Sequence, residues 1–393
     1  MGNLILFEYK KFLKKKKNII SLIIFSIIII GYIILSSSLD IQKTKSMEDN
    51  YRFELNSAEE GLKSLKNKGE ESNIPNLERI TNEQKLVINL LESRQAAHAK
   101  GDWKTELDIQ IKIDKKMLDS IQKGEIVSGE NTQDIQERIE KNEILYSKNI
   151  SPIIEENSME SYNFLRLVAA DIFPMLLIII LLILAGDVIS NENDEGTFKF
   201  LLIQPVSRVK IIVSKIIAVT SICLFVIFLI LVIMFMVLGF KFGFGSPEYP
   251  IKYYTGNYAS LFNASTGYEL KFIDIKNFIL YSIPLFVLLV ISIISLGILI
   301  STIIQNSTAS ICTSVILFVG INIFGNQLNL FKKVAHMNPF TYSNIPSVLS
   351  GDLLMRFNNR NVIAINGIVV LLAFTIICAI LSILFFRRRD ITC

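Results

Sequence analysis

Residues 168–189, VAADIFPMLLIIILLILAGDVI, are apolar except for Asp171 and Asp187. The stretch that follows at 191–215, NENDEGTFKFLLIQPVSRVKIIVSK, is acidic, then amphipathic, then basic. An apolar run of the first kind matches the roughly 30 Å hydrocarbon core of a bilayer, which takes about 20 helical residues to cross. The same signature recurs at 18–38, 211–240, 277–304, 308–327 and 361–386. In lipid, only helices or closed barrels satisfy the backbone polar groups, and runs this long are not barrel strands. The fold class is an all-α polytopic membrane protein. It has six transmembrane helices and a large, mainly helical extracellular insertion at 39–165 between spans 1 and 2.

The chain is 393 residues long and 51% hydrophobic, and its net charge of +4 matters less than where the charge sits. KKFLKKKK at 10–17 precedes the first span. Lys199, Arg208, Lys210 and Lys215 follow the second, and Arg387, Arg388 and Arg389 follow the last. Basic residues gather on the cytoplasmic side of short loops, so both termini and the 190–210 link are expected inside and 39–165 outside. The lysine run leads straight into a span, so no nucleic-acid partner is expected. The first span is too long for a signal peptide and SSSLD is a weak cleavage site, so it reads as an uncleaved anchor. A composition rich in Ile, Lys and Asn is associated with AT-rich bacterial genomes, which places the chain in a bacterial plasma membrane.

Residues 1–17 suit an amphipathic helix on the cytoplasmic surface, with Leu4, Ile5, Phe7, Phe12 and Leu13 opposite Glu8, Lys10, Lys11 and Lys14. In 39–165, helical patterns fall at about 47–67, 78–99, 103–122, 132–147 and 152–165, with Gly101 ending one helix and Asp102 capping the next. Disorder is the alternative there, since the region is charged and poor in aromatics. Residues 241–276 form an aromatic-rich outer loop whose tyrosines suit the headgroup level. Gln305 to Thr308 make a tight hairpin, 328–360 is extracellular or re-entrant, and 387–393 is a cytoplasmic tail.

The sequence carries no motif of catalytic or metal-binding chemistry. There is no G-x-x-x-x-G-K-[ST] and no G-x-S-x-G, the two histidines have no ligand partner at metal-binding spacing, and the four cysteines form no motif. No catalytic residue and no metal site is expected. Arg166, Asp171 and Asp187 are candidate structural or transport charges, because ionisable groups near a bilayer are costly to place. Asp187 has three options: capping, pairing with a basic residue of the next helix, or reaching water. The middles of the spans carry no charge, which argues against ion coupling within this chain. Three classes remain: transport driven by a partner, ion-coupled secondary transport, and a membrane-anchored sensor with an outer binding domain.

In the 190–210 link, Asp194 is placed to cap a helix with Glu195 in its first turn. Phe198, Leu201 and Leu202 fall at i, i+3 and i+4 and share one face. Pro205 stops that helix, and Ser207 caps the next one from Arg208. An acidic leading end matches an anionic leaflet poorly, so the short helix reads as a surface for docking a protein.

At these residues the chain resembles the permeases of type-2 ATP-binding-cassette exporters. The matching positions are Glu192 or Glu195, Gly196 and Thr197, Leu201 and Leu202, then Pro205, Val206, Ser207 and Arg208, followed by Lys215. The basic amphipathic N-terminus, the six spans, the insertion after span 1 and the NPF at 338–340 also fit. The resemblance implies that 190–210, Asp194 and Phe198 included, is a coupling helix seated on a separate ATPase subunit. It further implies two ATPase copies and a second permease chain, identical or a related paralogue. ATP and Mg would be held by the partner, with no cofactor bound by this chain. The expected cargo is an amphipathic, peptide-, lipid- or drug-like molecule moved out of the cell.

Overall fold

The computed structural model describes residues 1–71, 77–123, 130–152, 158–197, 206–256, 268–327 and 329–388. They fall into two compact units, one of 1–33, 160–247 and 251–393, the other of 34–159 and 248–250. The second unit is built from the distal part of α2 (Lys16–Glu71) with α3 (Leu77–Ala99), α4 (Trp103–Gln122) and α5 (Thr132–Lys148). Gly101, at φ +69°, ends α3, and the Asp102 carboxylate caps α4 by accepting from the Thr105 N–H at 3.2 Å, as the sequence predicts.

Ile88, Leu91, Leu107, Ile111, Ile135, Ile139 and Leu145 are buried where these helices face one another. Burying each such side chain contributes about 1.5–3 kcal/mol. The run containing Ile109, Ile111 and Ile113 lies in a helix, whose buried residues are Leu107, Ile109, Ile111 and Asp114; Leu107, Ile111 and Asp114 repeat every three or four residues. Asp114 is fully buried but matched: Arg138 donates to it at 3.0 and 2.8 Å and Gln110 at 3.0 Å. Nearby, Tyr51 and His98 both bond Glu106, at 2.6 and 3.1 Å, and Arg94 lies 4.2 Å over the Tyr51 ring. This unit is helical and ordered by its own core, so the disordered alternative does not hold for its described residues.

Among the described residues, six helical stretches are long and apolar enough to cross a membrane: Lys16–Leu39, Phe173–Asp194, Arg208–Phe242, Ile275–Ile303, Ser307–Gly325 and Ala364–Arg388. The second and fourth are 72% and 67% buried, whereas the first, fifth and sixth are each 17% buried. Spans 2 and 4 therefore form the centre, and the others present apolar faces outward. Before span 2, α6 (Ser161–Asp171) packs on the end of α9 (Arg208–Phe242), where the Ser161 hydroxyl donates to the Phe235 carbonyl at 2.7 Å.

Span 2 then opens into a π turn, Phe173–Leu177, before α7 (Ile178–Ala185) and α8 (Ser190–Asp194). Pro174 accounts for that turn, since it lacks an N–H and cannot close the tighter α ladder. Small residues let the centre close up. A Cβ built on Gly297 of α10 (Ile275–Ile303) would lie 2.7 Å from the Ala185 Cβ.

Where an aromatic loop is expected, β1 (Pro250–Gly256) and β2 (Tyr268–Asp274) pair into a two-stranded sheet. Beyond α11 (Ser307–Gln327), the segment read from sequence as extracellular or re-entrant folds as short helices. These are α12 (Asn329–Val334), two 3-10 turns at Ala335–Met337 and Pro339–Ser343, α13 (Ile345–Leu349) and α14 (Asp352–Phe357). They lead to α15 (Ala364–Arg388), which packs closely on α10 through Ser292, whose hydroxyl donates to the Leu371 carbonyl at 3.0 Å.

Candidate functional site

The stretch singled out by sequence lies at one end of the first unit, where α1 (Gly2–Lys14), the end of span 2, the starts of spans 3 and 5 and the end of span 6 meet. Lys215, two turns into α9, is completely buried. A charged group there is tolerated only with opposite charge in reach. Its Nζ donates to Glu8 Oε1 at 2.8 Å and to Glu192 Oε1 at 2.7 Å, and Lys11 Nζ reaches the same Glu192 oxygen at 2.6 Å. Two carboxylates and two ammonium groups thus close a neutral cluster joining α1, α8 and α9. A hydrogen bond of 2.7 Å between Tyr9 Oη and Ser221 Oγ joins α1 to α9 a second time.

Sequence reasoning places Glu8 on the solvated face of α1. The structure buries it beside Phe12, four residues on and therefore on the same face of the helix. Phe7 and Leu13, assigned to the apolar face, are exposed. The signal that was missed is Lys215 itself, a lone cation inside an apolar run.

A second pairing holds Asp187. Lys17 Nζ lies 2.7 Å from its carboxylate and Lys15 Nζ 3.5 Å from it, so its partners sit at the very start of span 1 and just before it and are not those of the next helix. Burial pushes the Lys15 ammonium below the ordinary lysine range, with the Asp187 charge opposing that shift. Lys17 also donates to the Ile183 carbonyl at 2.7 Å. Arg166 bonds the Asn163 side chain at 3.1 Å, and Asp171 accepts from the Tyr32 hydroxyl at 2.5 Å.

The link itself divides by exposure. Glu192 is buried in the cluster, whereas Asp194, Glu195, Gly196 and Thr197 are exposed. Asp194 closes the five-residue α8 and does not open a helix. Its carboxylate accepts from the Ser307 N–H at 2.9 Å and from the Ser307 hydroxyl, which caps α11 instead. Glu195 accepts from the Asn191 amide at 2.7 Å, and Gly196 turns the chain at φ +66°, a conformation glycine adopts without strain. Phe198, Leu201, Leu202 and Pro205 lie outside the described residues.

On the far side, Val206 leads to Ser207, whose hydroxyl caps α9 by accepting from the Lys210 N–H at 3.4 Å, as expected from sequence. Arg208 donates to the carbonyls of Phe386 and Arg387 at 3.2 and 2.6 Å, so it satisfies the orphan end of the last helix. Behind the link, the Ser301 hydroxyl accepts from the N–H groups of Ile189 and Ser190 at 2.9 Å each, and Ser310 donates to the Gly186 carbonyl at 2.5 Å. Every span that ends here is thereby bonded to a neighbour. Val206, Ser207 and Lys210 also line a groove of about 420 Å³ with Met1, Leu4 and Phe7.

Compared with known proteins, the chain is matched over residues 3–391 by the family model described as ABC-2 family transporter protein. No curated protein matches it.

Proposed function

We infer a function from the premise that the chain belongs to the ABC-2 family of transporter proteins, whose members are multi-pass membrane permeases that work with an ABC ATPase. Our reading is that this permease forms the path of an ATP-driven exporter in a bacterial plasma membrane. Both termini and the 190–210 link face the cytoplasm, and 39–165 faces outward. A separate ATPase subunit, in two copies, binds ATP and Mg and seats the coupling segment around Asp194, Glu195 and residues 198–205. The second permease is an identical chain or a related paralogue, and the cargo is an amphipathic, peptide-, lipid- or drug-like molecule.

The observation that supports this reading is the buried cluster of Glu8, Lys11, Glu192 and Lys215. It ties the root of the link to α1 and span 3 at once. A subunit pressing on the link then moves three elements together, and ATP drives the spans only through its different affinity for their two arrangements. Within the link, Glu192 acts as a strut, and the exposed Asp194 and Glu195 are the contact residues.

The test is co-purification from gently solubilised native membranes with a tag on this chain, followed by an ATPase assay. Wild type is expected to bring down a subunit carrying its own P-loop. Glu195→Lys reverses an exposed charge outside the buried cluster. It is expected to lose that subunit while the thermal midpoint of the permease stays unchanged. A Glu195→Lys chain that keeps its ATPase and transports normally would remove the coupling assignment.

A further inference from the structure

Away from the link, the first unit contains a cavity of about 140 Å³ between Pro174 of the π turn, the end of α11 at Asn322 and Gly325, and the short helices that follow. Its polar lining includes the Arg356 guanidinium, the Asn338 amide and the Thr341 hydroxyl, together with Asn322, Ser343 and Asn344, the last of which donates to the Ala170 carbonyl at 3.3 Å. The Asn338 oxygen is already occupied by the Phe340 N–H at 3.1 Å, which leaves its NH₂ group to point elsewhere. Among the described residues, neither that NH₂ nor the Thr341 hydroxyl bonds an acceptor, and Arg356 makes no ion pair. No aspartate or glutamate lines the cavity, while Phe340, Leu353 and Phe357 supply an apolar wall.

We propose that this cavity receives the phosphate or carboxylate head of an anionic amphiphile, with the tail running out along the phenylalanines. An exposed cation at the rim and two neutral donors around one space, with no carboxylate in the lining, match an anion's several acceptor oxygens. The size agrees with a head alone. An engineered cavity of about 150 Å³ holds one benzene, whereas pockets for whole drug-sized molecules span about 300–1,000 Å³. A π turn in span 2 forms one side, and such turns in α-helices frequently occur at functional sites. The proposal deepens the transporter reading by naming the chemistry of a ligand.

The experiment uses the full assembly in phosphatidylcholine nanodiscs and measures equilibrium binding of dodecyl phosphate. Wild type is expected to bind it saturably. Arg356→Gln removes the cation, and Gly325→Leu fills the cavity: a Cβ at Gly325 meets only the Asn338 nitrogen, at 4.0 Å. Each is expected to weaken binding ~10-fold or more, the scale of one lost charge-assisted bond. Arg360→Gln, which alters an exposed arginine outside the cavity, should bind as wild type does. Binding indifferent to Gly325→Leu, or lost equally in Arg360→Gln, would mean that surface charge alone attracts the probe and would overturn the site.

Should Gly325→Leu fail to fold, Thr341→Val removes one donor at nearly constant shape and serves in its place. Two sources share this chemistry. ATPase activity that rises with dodecyl phosphate in wild type but not in Arg356→Gln identifies a transported molecule. An unresponsive ATPase, with phosphatidylglycerol displacing the probe, identifies a membrane lipid. Binding is measured independently of ATPase retention, so failure of this site and failure of the coupling reading give different results.

Discussion

The Lys215 end and the Tyr342 end of the membrane-spanning unit are both rich in polar groups, but they hold the chain by different means. At the first, each buried charge meets an opposite one: Lys215 with Glu8 and Glu192, and Asp187 with Lys15 and Lys17. At the second, the bonds are neutral and mostly local. Asn338 and Asn344 cap short turns, and the buried Tyr342 hydroxyl donates to the His336 carbonyl at 2.8 Å. The cation there, Arg356, has no carboxylate partner among the described residues. Breaking half of a buried ion pair strands the other half without water, so a charge cluster connects helices rigidly. Neutral caps cost little to rearrange. The contrast agrees with the two proposals above, a coupling role for the first end and a ligand site at the second.

The sharpest way to break this contrast is Lys215→Met, which leaves Glu8 buried without its cation. A loss of about 3–5 kcal/mol is expected, measured as a fall in the thermal midpoint of the purified chain in detergent, with the ATPase subunit lost as well. Adding Glu8→Gln removes the stranded charge while Lys11 still neutralises Glu192, so the double variant should recover much of the midpoint. Equal losses in the single and double variants would show that Lys215 matters for its packing and not for its charge.

The same contrast explains what the sequence could reveal. Spans are legible because bilayer thickness imposes a length on any apolar helix, and the caps at Asp102 and Ser207 are legible because they are set by neighbours two or three residues away. Glu8 was misread because a helical wheel sorts residues by polarity alone, and the partner that makes its burial tolerable lies in α9, far along the chain. Asp194 was misread for a related reason, since the helix it caps begins at Ser307. The β1–β2 pair had a local signal, the alternation of Tyr268, Leu270 and Phe272 against Glu269 and Lys271. The tyrosines of that loop instead suggested a membrane interface. No pattern announced the cavity, because its donors come from separate turns and a short helix that only the fold brings together.

At the other end, the expected effects are smaller. A Cβ on Gly367 would lie 2.6 Å from the Tyr342 ring, so Gly367→Val should cost about 1–3 kcal/mol by overpacking, read from the same thermal midpoint. If it costs as much as Lys215→Met, the two ends are equally rigid and the contrast fails.

The smallest effect, and one of opposite sign, is expected at Lys15. Burial lowers its pKa in the folded chain below the ordinary 10.5, so the unfolded chain binds this proton more tightly than the folded one. Stability then rises with pH through the window between the lowered folded value and 10.5, because the slope follows the excess of protons held by the unfolded state. Lys15→Met removes that contribution. It should leave the midpoint at neutral pH unchanged or slightly raised, since Lys17 still pairs with Asp187 at 2.7 Å, and it should flatten the rise in stability toward pH 10. A clear drop in the midpoint would mean that the Asp187 attraction outweighs desolvation, which would place Lys15 in the same class as Lys215 and extend the force-bearing end to the start of span 1.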